Sequence, residues 1–370
     1  MPHQLHLAPT TTEEAAEILR NANAQNKKIE ITGAGTKRSW GHPVDADILL
    51  STKNLTGLKE HPWQDLTATA SAGTTWQELQ QALALHNQRV ALDPLFPSQA
   101  TIGGIIATND SGALRAKYGS LRDLIIGMAI VLADGTIAKS GGKVVKNVAG
   151  YDLHKLMTGA FGTLGLITEV TFRLHPLPAA TETWTITAPT ITPLDELRKK
   201  ITASTLSVEA MQLRAAQNQF ALDIQFASLQ TCLDDHSNRL RDLASPLTPE
   251  KSNAEIWQAR EKIFATQNAI AKLSLPSTAI ANLATEIISA GGQSVTQQSG
   301  LMTASLPHES VTAVRTKSES VGGNLFLYNP NSPSHSPWGK PPSSIHVMKE
   351  IKSALDHLGT INHHRFLDHI

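Results

Sequence analysis

Apolar and polar positions alternate with two periods along this chain, and the changes of period mark out its elements. After Thr11-Thr-Glu-Glu14, which has the form of a capping box, Ala15, Ile18, Leu19 and Ala22 recur at helical spacing. A short apolar strand over 28–32 comes next, and a second is expected over Asp47–Ser51. Leu66-Thr-Ala-Thr-Ala-Ser71 reads as a strand ending at Gly73, and Thr74–Asn87 as a helix capped in the Thr-x-x-Gln form. Leu121–Thr136 is expected to be one apolar strand closed by the Asp134-Gly135 hairpin turn. Gly165–Leu174 gives a further strand, and His175-Pro-Leu-Pro178 punctuates it as a domain boundary.

Beyond that boundary the texture changes. Strand-like Thr183–Thr187, helix-like Leu194–Ala203, strand-like Glu209–Arg214 and Phe220–Phe226, and helix-like Leu229–Leu243 give a β-α-β-β-α order. The order partly returns through Ala269–Leu275, Ala279–Ala290, Gly300–Leu306 and Leu325–Tyr328, without a precise internal repeat. Such alternation fits an antiparallel sheet with helices on one face. Asn329–Pro342 reads as an extended proline-rich loop, and Ile345–Leu358 as a last helix before a polar tail. The expected organisation is α+β: a domain over 1–178, a ferredoxin-like cap or substrate domain over 179–342, and a C-terminal helix and tail over 343–370 that return to the first domain.

The strand at 28–32 runs directly into Gly33-Ala-Gly-Thr36-Lys37. Glycines there allow positive φ and bring backbone N–H groups close to an anion. The next stretch, from Thr36 to Asp47, contains Trp40, Gly41 and Pro43 and has no helical period. The Rossmann fingerprint requires a helix opening at its glycines, so a loop, rather than a helix end, is expected to hold any phosphate here. Three further clusters accompany it: Thr101-Ile-Gly-Gly104 leading to Thr108-Asn-Asp-Ser-Gly112, then Gly141-Gly142 through Gly150, then Gly159-Ala-Phe-Gly-Thr-Leu-Gly165. Each alone is compatible with a plain turn or tight packing. Together they suggest a backbone surface around a long polar ligand of dinucleotide shape.

Composition narrows the class. With 32 Lys+Arg against 32 Asp+Glu, nothing favours nucleic acid or an anionic membrane surface. The single cysteine, Cys232, rules out an internal disulfide and a cysteine-ligated cluster. The fifteen histidines contain no HExxH, and His363-His364 cannot share a helix face, so no metal site is expected. The first residues lack a basic start followed by an apolar run, and the longest apolar run, Leu124–Ala133, is about half a bilayer crossing. A cytoplasmic protein is expected, with any peripheral attachment at the inner face of the membrane left to partner subunits.

The order GAGTK, PLFPSQATIGG, TNDSG, YG, GYDL and FGTLGLIT resembles the FAD-binding domain of the vanillyl-alcohol oxidase and p-cresol methylhydroxylase type. Within that group the chain is similar to the FAD-binding subunits of bacterial glycolate oxidase (glycolate dehydrogenase). The resemblance resumes at Ile256–Glu261, Met348–Asp356 and Gly359–Asn362. It implies noncovalent FAD, with Gly33, Ala34, Gly35, Thr36 and Lys37 holding the pyrophosphate through backbone amides. Thr101, Gly103 and Gly104 would contact phosphate or ribityl groups, and Thr108, Asn109, Ser111 and Gly112 would line the isoalloxazine side. Gly162, Thr163, Gly165 and Ile167 would meet the adenosine and flavin edges. His42, where covalent relatives carry their flavin link, is expected to be a surface residue.

The resemblance also implies oxidation of a small 2-hydroxy acid, glycolate to glyoxylate, with hydride passing to FAD. A second FAD-containing subunit and an iron–sulfur subunit are the implied partners. The chain departs from larger relatives: Gly322–Tyr328 carries no histidine, and no Glu-His-Gly segment exists. A non-catalytic flavin-binding assembly or electron-relay role is therefore the alternative. Arg260 and Arg365 are the candidates for a substrate carboxylate, either in that role or as structural ion pairs. Trp257 is expected in a core, and Lys143 and Lys146 either balance phosphate charge or are solvated.

Overall fold

The computed structural model describes residues 4–142, 151–216, 219–329 and 335–370, so Lys143 and Lys146 lie outside the described residues. They divide into two units: 4–111, 119–142, 151–177 and 340–370 in the first, and 112–118, 178–216, 219–329 and 335–339 in the second.

In the first unit, Leu5–Leu7, Ile48–Ser51 and Ile29–Thr32 form a parallel sheet in that order. Ile361 of the tail bridges Ile29 in parallel, so the tail extends the same edge. A second, antiparallel sheet has the order Leu58–Glu60, Thr67–Ser71, Leu166–Arg173, Ile125–Val131 and Ile137–Gly141. Its central strands read as apolar runs because both faces are covered. Met128, Ile130 and Val170 join a core with Ile102, Ile105 and Ile106. Val131 and Leu166 join one with Ala15 and Leu19 of the helix Thr12–Ala24. That helix starts as expected, with the Thr11 hydroxyl accepting from the Glu14 amide. The next cap falls one residue later than expected: Thr75 and Glu78 form a capping box on Trp76–Ala84.

The expected strand Leu121–Thr136 is corrected by its own polar residues. The Ser120 amide and hydroxyl both donate to the Asp123 carboxylate at 2.7 Å, which turns Leu121–Leu124 into one helical turn. Only Ile125–Val131 is strand, and it pairs with Ile137–Gly141 across the Asp134-Gly135 turn.

The second unit is built on eight antiparallel strands. Their order is Glu250–Ser252, Ala180–Ala188, Gln219–Ser228, Val208–Ala216, Gln293–Gln297, Leu301–Leu306, Ala269–Ser274 and Asn324–Asn329. This is a β-α-β-β-α-β unit used twice, each half with strand order 4-1-3-2, the split βαβ arrangement. The halves join where Gln212–Ala215 pairs antiparallel with Ser294–Gln297. The second half contains two elements with little apolar signal, the polar strand Gln293–Gln297 and the helix Val311–Ser320, which buries only Val311, Val314 and Ser318. One core runs along the helix side of the sheet, from Trp184 to Leu327.

Candidate functional site

A cleft lies within the first unit. One wall is the end of Ile29–Thr32 and the loop Gly33–Arg38; another is Thr101–Thr108; a third is Phe161-Gly162 with Gly165–Ile167. Thr52, Asn362 and Arg365 complete it. The walls approach so closely because they lack side chains. A Cβ on Gly33 would stand 2.1 Å from the Thr101 hydroxyl oxygen, whereas Gly35, at φ +80, faces open space.

Every cation named in this lining is already engaged. The Lys37 ammonium is buried, 3.5 Å from Asp110, whose carboxylate also accepts the Leu95 amide at 2.7 Å. Arg38 grips Glu30 with two bonds of 2.8 and 2.6 Å. Arg365 donates to the carbonyls of Lys37 and Arg38 at 3.1 Å and of Trp40 at 3.3 Å. Its Nε and Nη2 thus clamp the glycine loop, and its Nη1 lies 4.0 Å from Glu30, an engagement of the structural kind that was one of its two expected roles.

The structure brings Gly33, Ala34, Gly35, Thr36, Lys37, Thr101, Gly103, Gly104, Thr108, Gly162, Gly165 and Ile167 into this one lining. Gly33–Lys37 is bend and turn and opens no helix. Gly103 and Gly104 sit in the first turn of the helix Ile102–Ala107, capped by Thr101. Four residues lie elsewhere. Thr163 turns inward, its hydroxyl donating to the Ala160 carbonyl at 2.8 Å. Asn109, at φ +47, and buried Ser111 are outside the lining, and Gly112 belongs to the second unit. Arg260 is also in the second unit, buried in the short helix Ala259–Lys262. Nearby, Trp257 is half-buried and donates to the Thr183 hydroxyl at 3.1 Å. Thr52, Phe161 and Asn362 line the cleft without having been singled out as cofactor residues. Phe161 and Asn362 carried a signal, as parts of the FGTLGLIT motif and the Gly359-Thr-Ile-Asn362 segment, and Thr52 carried none.

His42 is half-buried rather than on the surface, and stacks on His369 at 4.7 Å. His363 and His364 stack at 3.6 Å, and His364 meets His369 edge-on. Burial first, and the neighbouring positive groups second, lower the pKa of His42, His363 and His364 below 6.5. A histidine whose folded pKa is lowered binds fewer protons than the unfolded chain, so stability falls as pH drops through the unfolded value. The tail is therefore expected to loosen below pH about 6.5. Hydrogen exchange at the Arg365 and Phe366 amides should speed up there, and H42N/H364N should flatten that dependence. Among the described residues no group of three or more His, Cys, Asp or Glu is placed to hold a metal.

Three glycine-rich backbone segments close one cleft. Residues 3–141 match the family described as FAD binding domain. The chain is 39% identical over 169 residues to the D-lactate dehydrogenase of Archaeoglobus fulgidus, 45% of this chain and 38% of that protein. The glycolate oxidase subunit GlcD of Bacillus subtilis is 36% identical over 178 residues, 48% of this chain and 38% of that one. The GlcE subunit of Escherichia coli is 33% identical over 165 residues, 44% and 47%. These matches thus span less than half of each relative. Alkyldihydroxyacetonephosphate synthase shares the fold, with a TM-score of 0.74 at 17% identity over 96% of this chain and 75% of its own. No described helix is long and apolar enough to cross a membrane.

Proposed function

We propose that this chain is an FAD-dependent oxidoreductase subunit that oxidises a small 2-hydroxy acid, glycolate to glyoxylate, and passes the electrons to a partner. The observation that carries the reading is the glycine-lined cleft inside an FAD-binding domain, where Gly33 and Thr101 leave room for backbone and ligand but for no Cβ. FAD, when bound, supplies the two-electron acceptor for the hydride at C2 of the hydroxy acid. The chain's own part is to bind and orient. Amides of Gly33–Thr36 would hold the pyrophosphate, Thr101, Gly103 and Gly104 the groups next to it, and Gly162, Gly165 and Ile167 the ring edges. No link through His42 is invoked, so the cofactor is held noncovalently. The second unit would serve as the cap or substrate domain, with Arg260 as its remaining carboxylate candidate. With Cys232 the one cysteine, an iron–sulfur acceptor must come from another chain. The names of the glycolate oxidase subunits support a multi-subunit complex, to which the proposal adds a second FAD subunit and a place in the cytoplasm or at the inner face of the membrane.

One observation favours the alternative of a flavin-binding assembly subunit without turnover: Arg365 is consumed by backbone carbonyls. The purified chain is expected to be yellow and to lose its visible flavin band with glycolate, D-lactate or 2-hydroxyglutarate but not with acetate. A yellow chain that no hydroxy acid bleaches favours the assembly role. A chain colourless even with excess FAD sinks both.

A further inference from the structure

Asn362 is 1% exposed and holds a left-handed backbone conformation at φ 42, where asparagine is among the few residues tolerated. Its side chain spans two walls of the cleft. The carbonyl oxygen accepts the Ile31 amide at 2.8 Å, two residues before the glycine loop. The amide nitrogen donates to the Phe161 carbonyl at 2.9 Å, next to Gly162. A Cβ on Gly162 would come within 2.7 Å of that nitrogen, so the second wall is seated directly on the side chain. Resting on the proposal that this cleft holds FAD, the geometry points to Asn362 as the positioning residue that sets the spacing between the pyrophosphate loop and the Phe161-Gly162 wall.

The surrounding tail keeps this side chain in register. The Asn362 amide donates to the Ile29 carbonyl, and the Ile29 amide to the Thr360 carbonyl, both at 2.8 Å. Asp356 accepts the Thr360 and Ile361 amides, each at 2.8 Å. Lys352 donates to the Ile361 carbonyl at 3.0 Å and to the Thr163 carbonyl at 2.7 Å, tying the tail to the same wall that Asn362 reaches. A primary amide accepts on its oxygen and donates from its nitrogen without charge. A carboxylate in its place satisfies Ile31 but opposes the Phe161 carbonyl; once protonated, it donates again.

That asymmetry supplies the test, read as FAD dissociation constants of the full chain by flavin fluorescence. N362G tolerates the backbone and loses both bonds; about thirtyfold weaker FAD binding is expected, from two buried hydrogen bonds. N362D is expected to be about thirtyfold weaker at pH 8 but within about threefold of the parent at pH 5, because burial raises the new carboxyl above its ordinary value. Taking the ratio to the parent at each pH removes the titration of Asp356, Lys352, Lys28, Glu30, His363 and His364, which the two proteins share. A purely structural tail anchor would change the melting temperature of the apo-protein without this pH-dependent ratio. Dissociation constants within twofold of the parent in both variants overturn the assignment, as does a loss in N362D that is the same at both pH values. Should N362G not fold, N362D, which keeps the bond to Ile31, decides alone. A parent that never binds FAD instead refutes the underlying reading and is told apart by its own colour.

Discussion

G33V is expected to weaken FAD binding by at least about a hundredfold, the largest loss of any single substitution in the cleft, or about 2.7 kcal/mol. A Cβ at position 33 would lie 2.1 Å from the Thr101 hydroxyl oxygen and 3.1 Å from its Cβ and Cγ2. Thr101 has nowhere to go. It is 4% exposed, caps the helix Ile102–Ala107 and bridges Thr75. The loop must therefore move, and its amides with it. G35A makes the control, because its Cβ would touch nothing and only the +80° backbone is penalised. That conformation costs a non-glycine residue about 1–2 kcal/mol, so a loss of roughly five- to thirtyfold is expected there. The clash also predicts its own suppressor. G33A should be weakened severely in the parent and far less in a T101A background, even though T101A alone forfeits a helix cap of about 1 kcal/mol. If G33A and G33A/T101A bind FAD equally weakly, the close approach of these two walls is not what Gly33 provides.

The cleft was legible in the sequence to the extent that its recognition is done by backbone. Glycines at 33, 35, 103, 104, 162 and 165 are visible as letters, and the structure gathers them into one lining. The parts that stayed hidden depend on direction or on long-range contact. Thr163 sits between lining residues but faces the other way, which the letter order cannot reveal. Arg365 stays open between a substrate and a structural role until its carbonyl partners, more than three hundred residues earlier, are placed beside it. The same holds for Thr52, which lines the cleft by position alone. In the fold, the helix Ile102–Ala107 was masked by its glycine pair, and the turn Leu121–Leu124 because its last residue already begins the apolar run of the following strand. Gln293–Gln297 and Val311–Ser320 lack the apolar period because the shared core needs few large side chains from them.

Lys352 is where the same logic meets stability. It is 8% exposed, and its ammonium donates to Asp356 and to the carbonyls of Thr163 and Ile361. Asp356, 2% exposed, accepts in addition from the Thr360 hydroxyl and two backbone amides. K352M removes one partner and leaves a buried carboxylate uncompensated, which costs about 3–5 kcal/mol. For a unit of this size that lowers the thermal midpoint by about 10 °C or more. K352M/D356L should recover only part, since the Thr360 and Ile361 amides then lose their acceptor. The pH dependence identifies the mechanism. In the parent, burial pushes the Asp356 carboxyl up, but Lys352 and the two amides outweigh it and hold the pKa below 3.8. Its contribution is therefore present at neutral pH and is lost as pH falls below about 4. Without the cation, burial dominates and the folded pKa rises above the unfolded one. The folded state then binds more protons than the unfolded chain, so the stability gap between K352M and the parent should narrow as pH falls from 7 toward about 4. A gap that stays constant across that range would mean that Lys352 contributes packing alone and that its charge is not what holds the tail against the cleft.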